Sequence, residues 1–131
     1  MTILVAYVPR PEGQAALEKG LEIAQRRNES LVVVNASPGG EKDDPSSVDV
    51  AEFERLQQIV EASGVNAEVL QFVRGKSAVE EIEALVYSHN VTLLIIGLRK
   101  RSAIGKLIMG SVAQELLLSI SCPILAVKAS N

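Results

Sequence analysis

The sequence predicts an α/β protein built on an open parallel sheet with helices on both faces. Two observations carry that expectation. Five short apolar runs alternate with four stretches of helical periodicity along the 131 residues, the rhythm of right-handed strand–helix–strand crossovers. The first run, residues 3–7, is moreover continuously apolar rather than alternating, as a parallel strand buried on both faces has to be.

Each element can be justified in turn. The first strand ends before Pro9 and Pro11, after which Ala15, Ala16, Leu17, Leu21, Ile23 and Ala24 line one face of a helix that stops near Asn28. Residues 31–34 form the second strand, and residues 37–48, rich in Gly, Pro, Asp and Ser, read as a mobile loop. Phe53, Leu56, Ile59 and Val60 mark the inward face of a second helix, stopped by Ser63 and Gly64. Residues 67–73 alternate as a third strand, and Ser77 caps a helix through Tyr87 that buries Val79, Ile82, Leu85 and Val86. Residues 93–96 are the fourth strand. Ser111 and Gln114 have the spacing of a capping box for the last helix. Pro123 opens a fifth strand running to Val127, at a position where a missing N–H is tolerated.

The length suits one domain, residues 1–131, and 47% hydrophobic content is ample for a core. A net charge of −3 argues against broad nucleic-acid binding by bulk electrostatics. A single cysteine, Cys122, excludes an internal disulfide and suits a reducing cytoplasm. The opening residues run straight into a strand without a basic leader, and no apolar run approaches the roughly 20 residues of a membrane span. The expected setting is soluble and cytoplasmic, with no nucleic acid and no membrane span.

The fourth strand empties into GLRKRSAIGKLIMGS, residues 97–111, a glycine-punctuated basic stretch that opens a helix at Gly110 and Ser111. A helix start offers unpaired N–H groups and the positive end of a dipole, which suits phosphate. Arg99, Lys100, Arg101 and Lys106 add positive charge there. The same stretch also reads as an ordinary connection with a solvated basic surface.

These residues resemble the universal stress protein family, small α/β domains that often bind ATP. The family's nucleotide loop runs Gly, two residues, Gly, nine residues, Gly, then Ser or Thr. Gly97, Gly110 and Ser111 fit at the correct spacing, whereas Lys100 stands at the second glycine. The likeness runs along essentially the whole chain, from Thr2 to Val127. It implies an adenine nucleotide alpha hydrolase-like fold with strand order 3-2-1-4-5. It implies ATP or another adenine nucleotide, with Mg accompanying it, or phosphate as ligand. It also implies a homodimer through the last strand, Pro123 to Val127, alongside an unidentified protein partner. In that strand order the switch point lies between strands 1 and 4, where ligands bind at the carboxyl ends; Tyr7, Val8 and Gly97 fall there.

Each candidate residue carries two readings. Phosphate would take the Ser111 hydroxyl and the N–H groups of Ser111 and Val112, while Ser111 also caps its own helix. Gly97 admits close packing of a ribose or phosphate, or makes a tight turn; Gly105 is a loop hinge. Arg99 or Lys100 pairs with phosphate oxygens, because cations beside a helix N-terminus repel its dipole unless an anion joins them; the other reading is a solvated loop. Val8 weighs against a nucleotide: nucleotide-binding members carry an Asp there, and its loss removes a hydrogen bond of about 1–3 kcal/mol. Tyr7 stacks on a base or stays in the core. Ala36 matches the position that packs against adenine. His89 lacks a second metal ligand and Cys122 lacks a His–acid pair, so no catalytic or metal-binding residue is expected and ATP turnover is at most very slow. Two readings stay open: a sensor that binds an adenine nucleotide, and a member that acts through dimerisation and protein partners without one. Val8 and Lys100 favour the second; Gly97, Gly110 and Ser111 favour the first.

Overall fold

The computed structural model describes residues 1–40, 44–100 and 107–129. The apolar runs become β1 (Thr2–Ala6), β2 (Ser30–Ser37), β3 (Ala67–Val73), β4 (Val91–Lys100) and β6 (Ile124–Lys128), with a two-residue β5 (Leu107–Ile108) between the last two. The helices are α1 (Pro11–Arg27), α2 (Val50–Ala62), α3 (Ala78–Ser88) and α4 (Ser111–Ser119). The five long strands pair in parallel in the order β3-β2-β1-β4-β6, the expected order with β6 as its fifth strand. β1 pairs β2 from Thr2 opposite Ser30 to Ala6 opposite Val34, and pairs β4 from Ile3 opposite Leu93 to Val5 opposite Ile95.

Strand alternation splits the interior into two cores. Ile3, Val5 and Tyr7 join Val33 and Ile95 beneath α1 and α2, which contribute Ala16, Leu17, Leu56 and Val60. Leu4, Val32, Val34, Leu94 and Ile96 form the other core with Val79, Ile82 and Leu85 of α3 and Leu116 of α4. Ile3, Leu4 and Val5 are completely buried, each contributing on the order of 2 kcal/mol through removal of apolar surface from water. Helices therefore cover both faces, and the uninterrupted apolarity of β1 has its cause.

Three expectations change. β4 does not stop at Ile96 but runs to Lys100, because Arg99 and Lys100 pair antiparallel with Ile108 and Leu107 of β5. No capping box forms on α4: the N-cap is Gly110, with φ −66° and ψ 163°, and Ser111 already lies inside the helix. The Gln114 amide donates instead to the Met109 carbonyl at 3.1 Å. A complete capping box is found on α3, between Ser77 and Glu80. Finally, the segment after β2 is tethered where it is described. The Asn35 amide donates to the carbonyls of Tyr7 (3.0 Å) and Ser46 (2.8 Å), and its oxygen accepts from the Val48 N–H at 3.0 Å. Residues 41–43 of the expected mobile loop lie outside the described residues.

Candidate functional site

At the carboxyl ends of β1 and β4 the chain departs to opposite faces, into α1 and α4. The gap is a cavity of about 560 Å³. Its apolar wall includes Ala6, Val34, Ala36, Ile82 and Ile96, while Val8, Gly97, Arg99, Gly110, Ser111 and Val112 border it on the loop side. Residues far apart in the chain, singled out from sequence, thus meet at one place. Lys100 is described through its backbone, opposite Leu107 in the extended strand. Arg101, Gly105 and Lys106 lie outside the described residues.

The start of α4 is open. Its first helical bond is Gln114 N–H to the Gly110 carbonyl at 3.1 Å, so the N–H groups of Ser111, Val112 and Ala113 have no acceptor within the helix. Among the described residues no side chain caps them. A Cβ on Gly110 would meet no atom within 4 Å among the described residues, and its φ suits any amino acid. Nothing described in the fold demands glycine at this position; among the described residues its effect is to leave space in front of three donors that the helix leaves unpaired.

Gly97 is different. A side chain there would collide with the backbone carbonyl of Glu12. Neither a ligand nor a tight turn is needed to explain it: the first turn of α1 lies directly on β4. Gly13 is required in the same way by the Val8 carbonyl. This contact seats Glu12 at the cavity, only 6% exposed. Its Oε2 accepts from Arg99 Nε at 3.2 Å and lies 3.9 Å from an Arg10 guanidinium nitrogen. Arg99 is therefore not a loose loop cation, although its side chain remains 54% exposed. Glu12 escaped the sequence reading because an acid in the first turn of a helix ordinarily faces water and the helix dipole. The available signal was its setting between Pro11 and Gly13, marks of a tightly packed helix start.

Tyr7 takes the second of its two readings. Its ring packs in the α1–α2 core and its hydroxyl donates to the Glu52 carboxylate, although the residue also borders the cavity. Arg55 donates to the same hydroxyl at 3.2 Å and to Gln14 at 3.2 Å. Burial, with the Glu52 carboxylate beside it, pushes the Tyr7 hydroxyl up to about 12. Val8 borders the cavity with an apolar side chain. Burial raises the Cys122 thiol above its ordinary value, which suits packing rather than nucleophilic attack. Among the described residues, no cluster of three or more His, Cys, Asp or Glu is arranged for a metal, and no helix is long and apolar enough to cross a membrane.

A five-stranded parallel sheet of this order with four helices packed on it is the adenine nucleotide alpha hydrolase-like fold. Within that class the chain belongs to the universal stress protein family, whose family model matches residues 1–128. It is 42% identical over 126 residues to a universal stress protein of Mycolicibacterium smegmatis, covering 96% of each chain. Its fold is similar to the structure of a universal stress protein from Archaeoglobus fulgidus, with a TM-score of 0.77, 27% identity and 97% of each chain covered. A universal stress protein from Archaeoglobus fulgidus in complex with dAMP superposes with a TM-score of 0.72 at 21% identity, covering 97% of this chain and 96% of that one.

Proposed function

We propose that this protein binds an adenine nucleotide, ATP or AMP, in the cleft between β1 and β4, as a sensing ligand in a stress response rather than as a substrate for efficient turnover. The observation that carries this reading is Gly110: a residue whose missing side chain no described packing requires, opening space, among the described residues, before the N–H groups that α4 leaves unpaired within the helix. Phosphate oxygens suit those donors and the helix dipole. The apolar wall around Ala36 suits a base, and the dAMP complex of a protein with this fold supports the same assignment. Mg accompanying a triphosphate would take most of its ligands from the phosphates and water, since Glu12 is the one carboxylate among the described residues lining the cavity and it is engaged by Arg99. The lone Cys122 supports a reducing cytoplasmic setting.

Assembly belongs to the same reading: a homodimer joined along the outer edge of β6, where an apolar edge strand invites pairing with another chain. A second reading, dimerisation and protein binding without nucleotide, is favoured by Val8 and by the engagement of Arg99 with Glu12.

Calorimetric titration with AMP and ATP separates the two. The wild type is expected to bind, and Gly110→Leu to lose binding while keeping its melting temperature, because the leucine would fill the phosphate's space without touching the core. Equal affinity in the variant would overturn the site; a wild type that binds neither nucleotide would leave the second reading.

A further inference from the structure

Glu12 is a charged side chain with nine-tenths of its surface buried, and it borders the cavity. Its two oxygens are treated unequally. Oε2 takes Arg99 and faces Arg10, whereas Oε1 has no hydrogen-bond partner among the described residues. Oε1 is not a buried unsatisfied atom, so it is open to the cavity and available to a ligand donor. An ionised carboxylate can only accept, so the matching ligand group is a hydroxyl or amine and not a phosphate oxygen.

Strand order says which part of a nucleotide that group belongs to. The apolar wall of Val34 and Ala36 stands at the end of β2, and the open donors of Ser111 and Val112 follow β4. β1 lies between β2 and β4. A ligand with its base at one side and its phosphate at the other carries its sugar across the ends of β1 and β4. Glu12 sits there, with its backbone against Gly97. We infer that Glu12 determines sugar specificity in this cleft by accepting a hydrogen bond from a ribose hydroxyl through Oε1, so that the protein distinguishes ribonucleotides from deoxyribonucleotides. The inference rests on the nucleotide reading above.

The test compares AMP, 2′-deoxy-AMP and 3′-deoxy-AMP by calorimetry on the wild type, Glu12→Ala and Glu12→Gln. The wild type is expected to prefer AMP over one of the deoxy forms by about tenfold or more, the size of one hydrogen bond to a charged group. Glu12→Ala should bring that ratio close to one. Glu12→Gln, which keeps the shape of the side chain and loses its charge, should bring it to about threefold or less and supplies the answer if the alanine variant does not fold. A wild type that binds all three equally well, or a preference that survives in the variants, would overturn the role of Glu12 while leaving nucleotide binding intact. A wild type that binds none of them overturns the nucleotide reading, and this inference with it.

Discussion

A methyl group added at Gly97 would enter the space of the Glu12 carbonyl, whereas one added at Gly110 would meet no atom of the described residues. The two glycines border one cavity and have opposite relations to the core. Gly97→Ala is expected to push α1 off β4 and destabilise the protein by about 1–3 kcal/mol, the usual cost of forcing extra volume into packed structure. Urea denaturation should show a lower midpoint with an unchanged slope; a midpoint equal to that of the wild type would mean that the helix start yields freely. Glycine spacing in the sequence marked both positions but not this division of roles. The deciding partner of Gly97 is the backbone of a residue 85 positions earlier (97 − 12), and a carbonyl has no signature in an amino-acid string. Glu12 was hidden for the same reason: its burial comes from its contact with β4, not from its chemical type.

Where β3 turns into α3, the polar groups are arranged tightly. Arg74 donates through Nε (2.7 Å) and a terminal nitrogen (2.8 Å) to the carboxylate of Glu81, which is 1% exposed, and its guanidinium stacks 4.3 Å from the centroid of the Phe72 ring. Those Arg74 bonds hold the Glu81 carboxyl below its ordinary 4.5. A carboxyl whose value is depressed on folding stabilises the native state above its unfolded value, and that contribution is lost as the pH falls through the depressed folded value. Glu81→Gln should therefore be less stable than the wild type at pH 7, with the gap closing below about pH 4.5. A gap that stayed constant down to pH 3 would show that the charge is not what matters. At this scale the sequence was most informative. Apolar periodicity located every long strand and helix, because each buries one side or both against the same sheet. It missed the β4–β5 pairing because Arg99 and Lys100 sit among glycines and cations that read as loop, while their extension comes from pairing with Leu107 and Ile108.

Across the whole molecule, β6 has β4 on one side and no strand on the other among the described residues. α4, which precedes β6 in the chain, exposes Leu117 and Leu118, the latter 89% accessible. A second copy would shield both the unpaired edge and this apolar surface. Light scattering at micromolar concentration is expected to give twice the chain mass. Leu118→Lys combined with Ala126→Lys, both at exposed positions, should lower it toward one chain without loss of folding. A wild type that remains monomeric would refute the pairing. The strand order has a further effect, on the protein's birth. β1 leaves the ribosome before both of its neighbours, and one of them, β4, begins only at Val91. With translation running at roughly 5–20 residues per second, the 18 positions from the end of β3 at Val73 to Val91 (91 − 73) leave the nascent β1–β2–β3 sheet with its innermost flank bare for about 1–4 seconds. Throughout that interval the apolar residues of β1 are exposed to chaperones and to other nascent chains, and the cleft comes into being only when the last third of the polypeptide closes the sheet.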